Sequence, residues 1–196
     1  MASNEHEMDP AEVRHLLDVL TQRLTDEGVD AHVHVIGGSA MALLFPDDDE
    51  TRFTTDIDAA VSPGPAVLQV VEQIADELGL SPTWLNPNGT SFIPPRSQSV
   101  ASPTGVTMTI ATVDELIAMK LAASRDQDLF DLGILARNAG ITDPERLVDI
   151  AFDAYGEDSV VLTDTREDYL IMAQQAIIAE RKRSKKVPAQ RRHADG

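Results

Sequence analysis

The sequence predicts an α/β fold in which a mixed α/β half extends to about residue 112 and an all-helical half follows it. Strand-like and helix-like periodicities alternate in the first half, whereas apolar residues in the second half recur only at helical spacing. A chain of 196 residues with 42% hydrophobic residues is long and apolar enough to bury a core. We therefore expect a core at 1–112, a helical lobe at 113–180 and a basic, flexible tail at 181–196.

The first half begins with an amphipathic helix at 11–27, because apolar residues recur every three or four positions between Pro10 and Gly28. Residues 31–36 alternate between apolar and polar side chains, which predicts a short strand, and a short helix is expected to begin at Ala40. The further elements predicted in this half are a strand at about 54–61, a helix at 66–78 ended by Gly79, a hairpin or long loop at 81–105 and a strand at 106–110.

Four helices are predicted in the second half, and Asp, Gly or Pro separates each from the next. Asp143 followed by Pro144 is typical of a helix start, since aspartate accepts hydrogen bonds at the cap and proline fits the first turn. The predicted bounds are about 113–124, 126–139, 143–155 and 165–183.

The charge of the chain is strongly uneven. The formal net charge is −17, yet residues 181–192 contain seven of the 16 basic residues and no acid. Residues 1–180 therefore carry nine basic and 32 acidic residues, a balance of −23. Such an acidic body argues against a nucleic-acid partner, because phosphate backbones select basic surfaces. The basic tail has two interpretations: it is a segment that keeps the protein in solution, or it contacts nucleic acid or another partner.

The composition also limits the compartment. The chain has no cysteine, so it has neither disulfides nor thiolate metal sites, and a cytoplasmic location is the simplest expectation. No uninterrupted apolar run approaches the roughly 18 residues of a membrane span, and the acidic N-terminus lacks a signal-peptide core. We therefore expect no membrane partner.

Gly37, Gly38 and Ser39 lie where the first strand is expected to meet a helix. Glycine permits a tight turn and a close approach of a ligand to the backbone, and the N–H groups of a helix N-terminus favour anions. The pattern is compatible with a phosphate-binding nest, and an ordinary turn is the structural alternative.

Asp56 and Asp58 follow Ser39 by 17 and 19 residues, and in a strand they would share one face. Two adjacent carboxylates repel each other, and a hard divalent cation is the usual way to offset that repulsion. Mg²⁺ typically takes one or two carboxylates together with substrate phosphate oxygens. The alternative is an exposed edge strand or turn with two solvated acids.

Thr54 precedes Asp56 by two residues, so in a strand its hydroxyl would face the same site. Phosphorylation would place a charge of roughly −2 beside the carboxylates and compete for Mg²⁺. This makes Thr54 a candidate regulatory residue, and the alternative is a β-branched residue that simply suits a strand.

Two charged residues interrupt apolar helix faces in the second half. Lys120 is the only lysine before residue 181, and a buried, unpaired ammonium is costly unless a ligand such as phosphate balances it. The alternative is a lysine that extends to the rim of the face. Asp128 could supply a third carboxylate as metal ligand or general base. Asp131 competes for that role or pairs with Arg125 as a supporting residue.

Four segments in this order resemble the motifs of the DNA polymerase β-like nucleotidyltransferases, and more narrowly of the AbiEii/MenT group of toxin–antitoxin nucleotidyltransferases. The segments are Gly37–Ser39, Thr55–Asp58, Met119–Arg125 and Asp128–Leu132, within a matched region of about 30–135. The resemblance implies a small mixed β-sheet flanked by helices, with a C-terminal helical lobe that completes the active site.

The resemblance also implies an activity. It implies transfer of a nucleotidyl group from an NTP with release of pyrophosphate, in toxin relatives onto the 3′ end of tRNA, which blocks translation. It further implies a cognate antitoxin that restrains the enzyme. The residue roles that it implies are nucleotide binding by Gly37, Gly38, Ser39 and Lys120, Mg²⁺ binding by Asp56 and Asp58, and Asp128 as the remaining catalytic acid.

Two questions stay open at this point. Lys120 and Asp128 are only eight residues apart, so few residues separate the third motif from the fourth. Asp131 therefore remains an alternative to Asp128 as the third acid. The acceptor could also be a small molecule such as an antibiotic, since an acidic body suits a cationic drug. A catalytically silent nucleotide- or partner-binding module is the alternative from a different class.

Overall fold

The computed structural model describes residues 7–48, 50, 53–98 and 102–185. It confirms the predicted α/β class. The described residues form two compact units, the first within Met1–Ile93 and Ser97–Thr112 and the second within Pro94–Arg96 and Val113–Gly196. Among the described helices, none combines the length and the hydropathy that a bilayer span needs.

The first unit is built on a four-stranded mixed sheet with the strand order β3-β2-β1-β4. β1 is antiparallel to β2 and parallel to β4, and β2 is parallel to β3. Its elements are α1 (Pro10–Asp26), β1 (Ala31–Val35), α2 (Gly37–Leu44), β2 (Ile57–Ser62), α3 (Gly64–Leu78), β3 (Leu85–Asn86) and β4 (Val106–Ile110), with short 3₁₀ turns at Thr90–Phe92 and Pro95–Ser97.

The alternation of β1 and β2 separates an apolar face of the sheet from a polar one. Val33 and Val35 of β1 and Ile57 and Ala59 of β2 are fully buried, whereas His32 of β1 is partly exposed. The apolar side of α1 adds Leu16, Leu17, Leu20 and Leu24 to the core of this unit, as its spacing predicts. Because alternate strand residues point to opposite faces, Asp58 lies on the polar face.

Two predictions for the first unit are wrong in their bounds. The short helix α2 begins at Gly37 and not at Ala40, so Gly37–Ser39 form its first turn. The strand predicted from about 54 begins at Ile57, and Thr54 forms only an isolated bridge with Met8. At 81–105, where a hairpin or long loop was predicted, the described residues form a long loop, and its two-residue strand β3 pairs in parallel with β2. The pairing partners of β2 and β3 lie far along the chain, where local patterns give no information.

The second unit is helical, as predicted. Its helices are α4 (Val113–Ala123), α5 (Asp126–Asn138), α6 (Pro144–Tyr155) and α7 (Arg166–Ser184), each within one residue of the predicted bounds. Residues 181–184 of the expected tail belong to the last turn of α7, and residues 186–196 lie outside the described part of the chain.

Candidate active site

Gly37 occupies a backbone position that strongly favours glycine. Its φ of +65° lies in the left-handed region, where a side chain is strained. A Cβ placed on Gly37 would stand 2.7 Å from Asp58 Oδ2 and 3.4 Å from Asp58 Cβ. The Asp58 carboxylate therefore packs directly on the backbone at the start of α2, and the absence of a side chain at residue 37 makes this approach possible.

Ser39 is directed into the protein and not toward a ligand surface. The residue is 1% exposed, and its hydroxyl donates a 3.0 Å hydrogen bond to the Ile36 carbonyl. The Ser39 hydroxyl thus donates its proton in a hydrogen bond to a backbone carbonyl at the β1–α2 junction. The groups of this segment that suit an anion are the backbone N–H groups of the first turn of α2, which no carbonyl of the same helix can reach.

Asn86, at the end of β3, fixes the Asp56 carboxylate. Its Nδ2 donates to Asp56 Oδ2 at 2.8 Å and to the Thr83 carbonyl at 3.3 Å, while its Oδ1 accepts from the Asn88 backbone N–H at 2.8 Å. The Asn88 donor settles which end of the amide faces Asp56. The residue is 6% exposed, so these bonds hold it in one orientation.

Asn86 also lies beside the second acid, because it pairs with Asp58 across the β2–β3 ladder. The two acids are thus brought near Asn86 by different elements: Asp58 by β2 itself, and Asp56 by the bend before it. The strand predicted to carry both acids begins at Ile57, so Asp56 lies just before it and only Asp58 belongs to β2.

Sequence reasoning missed Asn86. This residue lies in a stretch rich in Pro, Ser, Asn and Gly, and that composition predicted a hairpin or long loop. The available signal was the apolar pair Trp84-Leu85 directly before a polar amide, which is typical of a short buried strand that ends at a site.

Thr54 lies outside β2, so its expected orientation on a strand face is not found. Its Oγ1 donates a 2.7 Å hydrogen bond to the Asp56 carbonyl and stabilises the bend that carries Asp56. A Cβ on Gly38 would lie 3.9 Å from the same hydroxyl, which places Thr54 near the first turn of α2. A modification of this hydroxyl would break the bond to Asp56.

Two histidines extend the polar face of the sheet from Asp58 toward β4. The His32 and His34 rings stack with their centroids 6.2 Å apart, and both contact Thr109 Oγ1, at 3.0 and 2.8 Å. Burial lowers the pKa of His32, and the neighbouring His34 lowers it further. His34 pairs with Ala60, two residues beyond Asp58, so the same face carries the histidines and this acid.

Lys120, in the second unit, is paired with two acids. The residue is 8% exposed, and its Nζ donates to Asp128 Oδ1 at 3.0 Å and to Asp131 Oδ2 at 2.7 Å. The expectation of an unpaired ammonium that a phosphate must balance is therefore wrong. The partners come from the next helix, α5, and an ammonium with three N–H donors retains a third for another acceptor.

Arg125 holds the same Asp128 carboxylate from the helix start. Its Nε donates to Asp128 Oδ2 at 2.7 Å, its Nη2 donates to Oδ1 at 3.3 Å, and its backbone N–H donates to Oδ2 at 3.2 Å. Burial raises the pKa of Asp128, but the Arg125 bond and the charge of Lys120 outweigh burial and hold that pKa below its ordinary value. Asp128 is thus a carboxylate with both oxygens bonded, and Arg125 is its supporting residue.

A family model described as "Nucleotidyltransferase of unknown function (DUF6036)" matches residues 14–182. The matched region covers most of the chain and includes both units. The chain belongs to this nucleotidyltransferase family. No curated protein and no solved structure matches the chain.

Membership of this nucleotidyltransferase family bears out the broader part of the resemblance that the motifs indicated. Within the first unit, the structure brings Asp58 onto Gly37 and places Asp56 against Asn86. Within the second unit, it joins Lys120 to both candidate acids. The sequence left Asp131 either as a competitor for the role of third acid or as a partner of Arg125; the structure gives Arg125 three hydrogen bonds to Asp128.

The acids of the first unit fit a magnesium ion better than a softer metal. Among the described residues, no group of three or more His, Cys, Asp or Glu side chains could hold a metal ion. Mg²⁺ does not need such a group, because it usually takes one or two carboxylates and completes its shell with phosphate oxygens and water. Asp56 and Asp58 are two carboxylates of this kind, and Asp58 lies against the first residue of α2.

Proposed function

We propose that this member of the family is a Mg²⁺-dependent nucleotidyltransferase that transfers a nucleotidyl group from an NTP to the 3′ end of tRNA. The observation that carries the proposal is the contact of Asp58 with Gly37, which sets a carboxylate against the first turn of α2. A carboxylate pair beside a helix N-terminus suits a metal-bound triphosphate, since the metal takes the acids and the helix N–H groups take phosphate oxygens.

The nucleotide would be held by the first unit. In the proposed complex, the backbone N–H groups of Gly37, Gly38 and Ser39 bind phosphate oxygens, and Asp56 and Asp58 hold Mg²⁺. The ion would supply charge neutralisation on the triphosphate. Asn86 keeps the Asp56 oxygen that it contacts in place, so that this carboxylate is oriented before the nucleotide arrives.

In the helical unit, Lys120 is the residue that the resemblance assigns to phosphate binding. Two of the three N–H donors of its ammonium are taken by Asp128 and Asp131, and we assign the third to a phosphate oxygen. Both oxygens of Asp128 are bonded, which favours a positioning role for it over the role of general base. Asp131 is then a second positioning acid.

The reaction balances without a further reactant. The oxygen of an acceptor hydroxyl forms a bond to the α-phosphorus, the bond from that phosphorus to the β-phosphate oxygen breaks, and pyrophosphate leaves. The hydroxyl proton passes to solvent. Positioning of the two substrates and stabilisation of the phosphate charge supply the catalysis, as in other phosphoryl transfers.

The choice of tRNA as acceptor rests on the resemblance to the AbiEii/MenT group, and the same resemblance supports a toxin that a cognate antitoxin restrains. Such a protein would act in the cytoplasm, where tRNA and NTPs are available. Expression of the wild-type chain alone is then expected to arrest growth, and expression of Asp58→Asn is not.

One labelling experiment tests the function and its alternatives. The protein is incubated with each labelled NTP and Mg²⁺, first with total tRNA and then with small acceptors such as antibiotics. Label at the 3′ end of tRNA supports the proposal. Label on a small molecule would show that the acceptor is a small molecule and not tRNA. Binding of NTP without transfer to either acceptor would indicate a non-catalytic module. Asp58→Asn is the inactive control.

A further inference from the structure

A cavity in the helical unit lies between α5, α7 and the loop that follows α5. Its volume is about 360 Å³, within the range of small-molecule sites. Gly133, Ala136, Ile141 and Ile177 give it an apolar wall. The helices approach closely here, since a Cβ on Gly133 would stand 3.0 Å from the Ala176 carbonyl oxygen.

The rim of this cavity is cationic. Arg137, Arg181 and Lys185 line it, together with the single acid Glu180. Glu180 is already neutralised, because its carboxylate accepts from Arg137 at 2.7 Å and from Ser184 at 2.8 Å, and also from Arg183. Arg181 donates to the Thr142 carbonyl at 3.2 Å, and neither it nor Lys185 has an ion pair with any residue in the described part of the chain.

This cationic rim stands out against the rest of the chain. Residues 1–180 carry a balance of −23, and the one dense positive segment of the sequence is residues 181–192, which include Arg181 and Lys185 of the rim. An apolar cavity with a cationic rim suits a ligand that has a flat apolar group and several phosphates. A single-stranded RNA with an unpaired base has both parts.

We propose that the cavity bounded by Ala136, Ile141 and Ile177 receives an unpaired base of an RNA strand whose phosphates lie on Arg181 and Lys185. This inference deepens the proposed function and rests on its RNA acceptor. It separates two tasks within the chain: the acids and Lys120 act on the triphosphate, and the cavity holds the acceptor strand by its backbone and one base.

The phosphate contacts are tested by the salt dependence of RNA binding. A labelled short oligouridylate is titrated with the full-length protein at several salt concentrations and followed by fluorescence anisotropy. Each lost phosphate contact lowers the slope of log K against log salt by about 0.7 for a single strand. The double variant Arg181→Ala/Lys185→Ala is therefore expected to bind less tightly and to lose about 1.4 of this slope.

The matched control removes the same charge elsewhere in the same unit. Arg96 and Arg146 are exposed and do not line the cavity, so Arg96→Ala/Arg146→Ala has the same net charge as the test variant. We expect this control to keep the wild-type slope. An equal loss of slope in both double variants would show a net-charge effect and would overturn the proposal.

The base contact is tested with an abasic oligoribonucleotide of the same length, which keeps the phosphates. The wild-type protein is expected to bind the base-bearing strand more tightly, and Ile141→Trp, which fills the cavity, is expected to lose this preference and to keep the salt slope. If thermal melting shows that this variant does not fold, Thr142→Trp at the same wall replaces it. Equal binding of both strands by the wild type contradicts the base contact.

The outcomes separate this inference from the proposed function. If RNA binding depends on the rim and the cavity but no nucleotide is transferred, the inference is supported and the proposed function is contradicted. If the wild type transfers nucleotides to tRNA and the Arg181/Lys185 variant binds RNA as tightly as the wild type, the inference is contradicted and the proposed function stands. A polyglutamate peptide that competes as well as oligouridylate would identify the cavity as a site for an acidic protein and would overturn the assignment to RNA.

Discussion

Asn86 Nδ2 donates a 2.8 Å hydrogen bond to Asp56 Oδ2, and across the β2–β3 ladder the same asparagine pairs with Asp58. The buried side-chain amide of Asn86 therefore holds Asp56, while its backbone lies beside Asp58 in the sheet. Its own orientation is fixed by the Asn88 backbone N–H. The orientation of the Asp56 carboxylate thus depends on a residue that lies 30 positions away in the chain.

Replacement of Asn86 by alanine is expected to weaken Mg²⁺ binding and to slow transfer by about 10–100-fold, because residues that orient metal ligands typically contribute that much. Calorimetric titration with Mg²⁺ measures the binding separately from activity. Asn88→Ala is the matched control, since the Asn88 backbone donor survives the substitution. Equal Mg²⁺ affinity in Asn86→Ala and wild type would rule out the positioning role.

Gly37→Ala is expected to abolish transfer and to lower the free energy of unfolding by more than Gly79→Ala. Both glycines have a φ near +65°, so each alanine variant carries the strain of a left-handed residue, about 1–2 kcal/mol. Only at Gly37 does the new Cβ meet the Asp58 carboxylate; at Gly79 nothing lies within 4 Å. Urea denaturation and the labelling assay measure the two effects, and equal destabilisation would show that the Asp58 contact is unimportant.

Lys120→Met is expected to destabilise the fold by about 3–5 kcal/mol, because it leaves Asp128 and Asp131 buried without their shared cation. The double variant Lys120→Met/Asp131→Leu removes one of these charges as well and should recover part of the loss. Urea denaturation of the wild type and both variants measures this. A double variant less stable than Lys120→Met would contradict the ion-pair account.

The stability that Asp128 contributes is expected to depend on pH with a defined sign. Its pKa in the folded protein lies below the ordinary value of 3.8. The ionised carboxylate therefore stabilises the fold fully above pH 3.8, and this contribution is lost as the pH falls through the folded pKa. Chemical denaturation measures the free energy of unfolding of the wild type and of Asp128→Asn at pH 7 and pH 3. The difference between the two proteins should be smaller at pH 3.

A control for general acid effects is available on the same helix. Asp126 is exposed in the first turn of α5, so Asp126→Asn, measured at both pH values, is the matched control for the loss of an acid from this helix start. A stability difference for Asp128→Asn that stays constant or grows between pH 7 and pH 3 would contradict the assigned sign.

The helices could be predicted because the residue patterns that determine them lie within each helix and at its ends. The apolar residues of α1 lie three or four positions apart, and Asp9, Pro10 and Gly28 mark its ends, so the sequence contains both the buried face and the limits. The start of β2 could not be predicted in this way. Its first residue donates from the Ile57 N–H to the Trp84 carbonyl at 2.7 Å, a partner far along the chain.

The candidate residues of the site could be identified from their types and order, but their partners could not. That Lys120 lies on an apolar face follows from helical spacing. That it meets two acids of α5 depends on the sharp turn between α4 and α5, where Ser124 has a φ of +54°. Serine gives no signal for that conformation, so the paired state of Lys120 was visible only in the folded chain.

Nucleotide transfer by Asp56→Ala tests the central claim most directly. Wild type and variant are incubated with each labelled NTP, Mg²⁺ and total tRNA, and circular dichroism and thermal melting establish that both are folded. We expect incorporation by the wild type and none by Asp56→Ala, because the variant lacks one of the two carboxylates assigned to Mg²⁺. Retained incorporation by a folded Asp56→Ala protein would contradict the proposed mechanism.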